Sequence, residues 1–426
     1  MPTKLRLIGD FVAVIGSLIL REIGLALKAL VIRFQSRIHG SKSAAERHRT
    51  IVVVGASFAG HHAAKVIATL LPYNSDYRVV VIEPNSHFQF TWVLPRFCVA
   101  KGHEHKAFVP YGKYISAPKG AISWIQARVQ SITHDTVKLE GSNEDISYDY
   151  LVIATGAGVA HGLPSRVNCT DKTQGILALQ QMQNSIEAAK SLVVVGGGAA
   201  GVEVATDAKS KYADKRVTLV HSRDAVMHRF GKRLQDIAQE GLDQLGVDVI
   251  LNDRVISENT EGTIKLKSGR TLDCEFLVNC TGQKPNSSIL ESIAPNAVST
   301  DGIKVLPTLQ IADPSLPNIY AIGDVAATGT PQPNGRSARE QGTIAGMNVI
   351  AAVCGKKPAK MYKPHWMEGF IKLTLSLDRS VTFFGDGDSS FLFKSKEKKE
   401  ELMASDVWRI FGQKPYHDTE NALRNN

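Results

Sequence analysis

The chain has 426 residues, 43% of them hydrophobic, and a formal net charge of +9. That length exceeds one ordinary core and implies two or three domains. Residues 1–49 hold nine Lys/Arg against three Asp/Glu, so +6 of the charge lies in the first tenth, which weakens any reading of the whole protein as a nucleic-acid binder.

Apolar residues fill Leu5 to Phe34, interrupted by Asp10, Arg21, Glu22 and Lys28. At about 100° per residue, Arg6, Asp10, Ser17, Arg21, Gly24 and Lys28 form one narrow stripe, and the rest is a wide apolar face apart from Glu22 and a few basic residues at the ends. No charge-free stretch reaches the ~20 residues of a spanning helix. An in-plane membrane helix with a basic flank fits better. A mitochondrial presequence and a helix packed on the protein's own surface are the alternatives, although Asp10 and Glu22 are unusual in presequences. Arg37 to Thr50 reads as a polar linker.

Ile51-Val-Val-Val-Gly55-Ala56-Ser57-Phe58-Ala59-Gly60 then pairs a short apolar run with a glycine turn. This is the pattern of a buried parallel strand running into a helix that receives a pyrophosphate. The helix start offers unpaired N–H groups and the positive end of a dipole. Ser57 replaces the middle glycine of the pattern. The next strand, Tyr77 to Glu83, ends in a carboxylate at the spacing of a ribose ligand, which fits an adenosine with free hydroxyls, as in FAD. Ala121–Val129 and Thr136–Glu140 alternate like strands. Tyr148 to Ala154 returns as a buried strand closed by Thr155-Gly156.

The second glycine turn, Leu192-Val-Val-Val-Gly196-Gly-Gly198-Ala-Ala-Gly201-Val-Glu203, implies a second dinucleotide. Its following strand ends in His221-Ser222-Arg223 without a carboxylate. A 2′-phosphate is therefore tolerated, and NADH and NADPH both remain open. Cys274 to Gly282 echoes the Ala154-Thr155-Gly156 ending. Asn318 to Asp324 is another buried strand, ending in Gly323-Asp324 and followed by a helical run from Ser337 to Val353; it belongs back with the first unit. Strands at 370–375, 380–384 and 390–393 follow, and the mixed-charge run Lys394–Glu401 reads as a solvated helix face. Five scattered cysteines form no C-x-x-C pair and no metal-ligand spacing, so neither a redox disulfide nor a metal is expected; a lone thiol such as Cys98 is the one candidate for reactivity.

The fold expected is α/β: two Rossmann-like dinucleotide-binding domains, the FAD domain discontinuous, plus a small C-terminal α+β domain. The boundaries are 1–49 for the anchoring or targeting segment and linker, 50–165 with 283–357 for FAD, 166–282 for NAD(P)H, and 358–426 for the C-terminal domain.

Taken together, Val193 to Glu203, Val217 to Ser222, Cys280 to Ser288, Ile319 to Ala326 and Tyr362-Lys363-Pro364 resemble the FAD-dependent pyridine nucleotide reductase superfamily. Within it, roughly residues 50–395 are similar to the apoptosis-inducing-factor-like branch, the AMID or ferroptosis-suppressor family. The resemblance implies that Gly55 to Gly60 hold the FAD pyrophosphate, with Glu83 on the ribose and the Val129 backbone on the adenine. Thr155 and Gly156 line the flavin side, and Asp324 accepts from a ribityl hydroxyl. Arg96 matches a basic residue near the flavin phosphates, Glu203 a glutamate that approaches the nicotinamide near the flavin, and Lys363 a lysine on the acceptor side. On the nicotinamide nucleotide the implied residues are Gly196, Gly198, Gly201, His221 and Arg223. The related vertebrate proteins carry a myristoylated N-terminal glycine, whereas this chain starts Met1-Pro2, so residues 5–34 are expected to take over the anchoring. Ala338-Arg-Glu-Gln341-Gly342 is partly similar to the quinone-side helix of type II NADH dehydrogenases. The activity implied is hydride transfer from NAD(P)H to FAD and electron transfer to a membrane quinone. A death effector binding nucleic acid and a reductase of a protein partner such as a ferredoxin are the alternatives. The expected location is a membrane, mitochondrial first, with a lipid droplet or another cytoplasmic membrane surface as the alternative.

Overall fold

Two parallel sheets carry the two glycine turns. The structure, a computed structural model, describes residues 2–40, 42–111, 115, 117–118, 120–259, 262–386 and 389–418. In the first sheet the spatial order is Ile319–Ala321, Tyr150–Ile153, Arg49–Val54, Tyr77–Ile82, Ile122–Ile125. The Val-rich run is central because it is apolar on both faces; Ile51, Val52 and Val53 are fully buried. The strand at 319–321 pairs with 150–153, so this sheet is assembled from two distant stretches of chain. The second sheet runs Asp248–Ile250, Arg216–Val220, Ser191–Val195, Phe276–Asn279. In both sheets the order reverses beside the glycine-turn strand, which opens a crevice at its carboxyl end.

Helix Phe58–Leu70 packs on helix Gly335–Val353 at close range because the contact is made of small residues. A Cβ on Gly342 would lie 2.6 Å from the Ala59 carbonyl oxygen, and one on Gly346 would lie 2.9 Å from Val66 Cγ1. His62 Nε2 and Thr343 Oγ1, 2.9 Å apart, tie the pair together.

The alternating run near residue 121 splits into two strands, Ile122–Ile125 and Val129–Ile132. The second pairs with Thr136–Leu139 in a separate antiparallel sheet. An antiparallel sheet of Ile371–Ser376, Arg379–Asp386 and Ser389–Lys396 forms the C-terminal unit; helix Ala404–Ile410 follows and packs on residues 104–107, with Trp408 Nε1 donating to the Lys106 carbonyl at 2.9 Å. The run from Lys394 is not a helix face: strand pairing continues to Lys396, where Arg379 is its partner, and Glu397 turns back to meet Lys372 Nζ at 2.6 Å.

The N-terminal helix, Pro2–His39, is longer than its apolar run. Arg21 pairs with Glu340 through two bonds of 2.5 and 2.7 Å, so this member of the polar stripe faces the protein. The side chains of Arg6 and Asp10 lie outside the described residues. Val12, Ile19, Ile23, Leu27, Leu30, Phe34 and Ile38 are each more than half exposed, and their spacing of three, four or seven puts them on one outward stripe. The supposed linker is anchored as well. Arg47 is buried and donates to the carbonyls of Ser75, Tyr77 and Tyr73 at 2.8, 3.0 and 3.1 Å.

Candidate functional site

Both glycine turns open into one cavity of about 1760 Å³. That exceeds the ~300–1,000 Å³ of a pocket for one small ligand and suits two. At the first turn Gly55 has φ +92°. A Cβ on Gly60 would stand 1.8 Å from the Gly55 carbonyl oxygen, so only glycine lets the helix start this close to the strand. The second turn repeats the device: Gly196 has φ +111°, and a Cβ on Gly201 would stand 1.8 Å from the Gly196 oxygen. Gly60 and Gly201 act from behind the wall, as does Ala56, whereas Gly55, Ser57, Phe58, Ala59, Gly196 and Gly198 line it.

Helices Phe58–Leu70 and Ala199–Lys211 begin at Ser57 and Gly198 with no side-chain cap. Two other long helices carry caps: Asp171 bonds the N–H groups of Thr173 and Gln174, and Asn334 those of Arg336 and Ser337, whereas helix Lys232–Leu245, like the two at the glycine turns, has none. Two uncapped helix starts bordering one cavity are the donor sets that two pyrophosphates require. The residues present therefore fit FAD and a nicotinamide nucleotide.

At the ends of the second strands the two units match in a way the sequence conceals. Glu83 Oε2 accepts from Ala56 N at 2.5 Å and Oε1 from Asn85 N at 2.9 Å. Burial raises the Glu83 carboxyl above its ordinary range against these bonds. In the second unit His221 Nδ1 accepts from Gly197 N at 3.0 Å, so the imidazole occupies the place of the carboxylate. Accepting at Nδ1 puts its proton on Nε2, 3.2 Å from His228 Nδ1. Burial, then His228 and Arg223, push His221 down to about 4, so it is neutral at pH 7. Arg223 is exposed on the cavity rim beside it.

Val129 lines the cavity. Thr155 and Gly156 are clamped by Asn286: its Nδ2 donates to the Thr155 oxygen at 2.9 Å, and its N–H to the Gly156 oxygen, also at 2.9 Å. Asp324 reaches the cavity and holds Arg166 at 3.0 Å. Gln341 Oε1 accepts from Gly323 N at 2.7 Å, so Gln341 supports the flavin-side turn from the helix below it.

Glu203 lies in the cavity wall, with Oε1 accepting from Thr374 N at 3.1 Å. Burial first, and the neighbouring Asp207 carboxylate, push its carboxyl up to about 8; it is therefore mostly protonated at neutral pH.

Two expectations are corrected. Arg96 does not line the cavity. It is fully buried, with Nε 2.7 Å from Asp207 Oδ2 and its two terminal nitrogens on the Leu377 and Ser376 carbonyls at 3.0 and 2.8 Å. Its charge is spent joining the flavin unit to the nicotinamide and C-terminal units, because a buried guanidinium is held by the nearest carboxylate. Lys363 is exposed and outside the wall. Among the basic side chains that do line the wall is Arg336, whose guanidinium lies 4.7 Å from the Phe370 ring centre and 5.4 Å from that of Trp92. Its Nε makes no hydrogen bond, and burial lowers it to about 10. Sequence reasoning missed Arg336 because its partners are two aromatic rings far away in the chain.

All five cysteines are free. Cys98 is buried and its thiol is pushed well up by desolvation, which makes it inert rather than reactive. Among the described residues no His/Cys/Asp/Glu group has metal-site geometry.

The chain belongs to the pyridine nucleotide-disulphide oxidoreductase family, whose model matches residues 49–345. It is an oxidoreductase of the FAD- and NAD(P)H-dependent kind. Among curated relatives it is 34% identical to Fe-regulated protein 8 of Mycosarcoma maydis over 79% of this chain and 88% of that one. It is 30% identical to ferroptosis suppressor protein 1 of Xenopus tropicalis over 88% of this chain and 99% of that one. In fold it resembles an NAD-dependent persulfide reductase from A. fulgidus, with a TM-score of 0.62 and 23% identity over 80% of this chain and 64% of that one. A water-forming NADH oxidase from Lactobacillus brevis, solved bound to NADH, gives 0.61 and 24% over 80% of this chain and 76% of that one.

Proposed function

We propose that the protein oxidises NADH or NADPH and reduces a membrane quinone, working from the membrane surface through residues 5–34. The single observation that carries the acceptor half is the orientation of the N-terminal helix. A helix stabilising a soluble protein turns its apolar side inward; here Arg21 faces inward to Glu340 while an apolar stripe faces out. Such a stripe is the membrane-binding face of an interfacial helix. Among the described residues no helix is long and apolar enough to cross a membrane.

The overall change is one hydride from the nicotinamide and one proton from solvent, converting quinone to quinol and NAD(P)H to NAD(P)+. FAD supplies the hydride-accepting and electron-passing chemistry when bound. The chain's own residues bind and orient. The helix starts at Ser57 and Gly198 hold pyrophosphates, Glu83 the adenosine ribose, Val129 the adenine edge through its backbone, and Asp324 a ribityl hydroxyl. His221 and Arg223 accept either nicotinamide nucleotide. Glu203, with Oε1 bonded to Thr374 N, keeps its proton on Oε2, so that the nicotinamide end of the cavity carries a neutral donor rather than a negative charge.

The test is anaerobic titration of the flavin with NADH and NADPH, followed by addition of a quinone. Bleaching and then reoxidation are expected. If neither nucleotide bleaches the flavin, the donor half fails. Steady turnover with a ferredoxin and none with quinones would overturn the acceptor half. For the membrane, the full chain is expected to sediment with phosphatidylcholine vesicles and a chain lacking residues 1–39 to stay in solution; equal behaviour of the two refutes this part.

A further inference from the structure

The outer face of the C-terminal sheet carries a row of aromatic rings that the site described so far does not use. Phe384 of the central strand stands opposite Phe391 of the edge strand, with ring centres 5.1 Å apart. Phe370, just before the first strand, stacks on the other side of Phe384 at 6.1 Å. Phe393, two residues further along the edge strand, lies 6.1 Å from Phe384 and 6.5 Å from Phe391. Trp366, from the turn Trp366–Gly369, also stacks on Phe384 with ring centres 6.4 Å apart, so the row runs beside this turn and outside the core of the sheet. Strand residues alternate between faces, and the opposite face already buries Leu373, Val381 and Phe383. On an antiparallel sheet the outer face is ordinarily polar, yet here Phe393 is 55% exposed.

Both ends of the row lead somewhere. At the inner end Phe370 is part of the cavity wall and packs on Arg336, whose Nε lacks a hydrogen-bond partner. At the outer end the strand Ser389–Lys396 lies against the N-terminal helix with its outward apolar stripe. Three strands at about 4.8 Å spacing give a row of about 10 Å. A row of aromatic rings therefore runs from the helix to Arg336, held between Trp92 and Phe370 at the wall.

We propose that Phe393, Phe391, Phe384 and Phe370 form the track along which the isoprenoid tail of a lipid quinone lies while its ring enters the cavity beside Arg336. This rests on the reading of the acceptor as a membrane quinone. The track explains why apolar rings lie on a sheet face that should be polar, and why the row ends at a desolvated donor suited to a quinone oxygen.

The experiment compares a tail-less benzoquinone with a long-tailed polyprenyl quinone in phosphatidylcholine vesicles, using the full-length FAD-loaded protein. Phe393→Asp and Phe384→Ser are expected to raise KM for the tailed quinone on the order of tenfold, the loss of roughly one apolar contact. Values for the tail-less quinone should stay within about twofold, and Phe393→Leu should behave as the parent. Because Phe384→Ser can weaken the small sheet, the exposed Phe393 carries the decision. Equal effects on both quinones, or on neither, overturn the track. So does a Phe393→Asp protein that loses the tailed quinone only because it no longer sediments with vesicles, or a parent protein that is dimeric where Phe393→Asp is monomeric, which would assign the face to a second copy. A parent protein that reduces neither quinone would instead sink the acceptor reading itself.

Discussion

Replacing Arg96 with methionine removes one partner of the buried Arg96–Asp207 pair while nearly preserving volume. The guanidinium makes three bonds, to Asp207 at 2.7 Å and to the Ser376 and Leu377 carbonyls, and both charged side chains are shielded from solvent. Breaking such a pair from one side costs about 3–5 kcal/mol, since a charge is left uncompensated in the interior. Asp207 sets the pH dependence. Burial lifts its folded pKa to about 6 even with Arg96 present, above its ordinary 3.8. The folded state therefore binds more protons than the unfolded state between about pH 4 and 6, so stability falls across that window and is level above it. Without Arg96 the Asp207 pKa rises further and the fall extends above pH 6. Urea unfolding of the FAD-loaded R96M protein at pH 5 and pH 8 should thus show a deficit that is larger at pH 8. The R96M/D207N double variant should recover part of the loss and its extra pH dependence. A deficit below about 1 kcal/mol, or one equal at the two pH values, would show that the Arg96–Asp207 pair does not hold these units together. An R96M protein that unfolds like the parent but binds FAD weakly would restore Arg96 to the flavin phosphates.

Further expectations concern the cavity. Gly201→Ala places a methyl where only 1.8 Å is available beside the Gly196 oxygen; overpacking of about 1–3 kcal/mol should weaken NAD(P)H binding roughly five- to 150-fold, with FAD content unchanged on the purified protein. His221→Glu puts a carboxylate beside Gly197 where the imidazole is neutral, so the NADPH-to-NADH ratio of kcat/KM should drop by about tenfold or more; an unchanged ratio would remove His221 from the 2′ region. Glu203 is protonated below about pH 8, so the rate of flavin reduction should change as pH crosses that value in the parent and stay flat in E203Q. The same inflection in both proteins would assign it to another group. Arg21→Ala breaks the bond to Glu340, and limited proteolysis should then cut within residues 2–39 faster than in the parent, with the flavin spectrum unaltered.

Much of this molecule was legible in its sequence because the informative features are local. A positive φ at Gly55 and Gly196, and the lack of a Cβ at Gly60 and Gly201, are properties of single residues at fixed spacing after an apolar run. They announce the strand, turn and helix regardless of what packs around them. The return of the 319–321 strand to the first sheet was legible for the same reason, since Gly323-Asp324 closes a short buried run.

Other features were decided only in three dimensions. Arg96 and Arg336 are both basic residues in unremarkable contexts, yet one is held by a carboxylate 111 positions away and the other between two aromatic rings. Their roles follow from which partner is nearest once water is excluded. His221 looked like a missing carboxylate; the hydrogen bond from Gly197 shows a replaced one. That two dinucleotide sites exist can be read residue by residue, because glycine geometry and apolar strands are local properties. Which charges face the cavity, which are neutralised inside, and which side of the N-terminal helix is turned outward follow from the folded arrangement, because desolvation and pairing depend on residues brought together from distant parts of the chain.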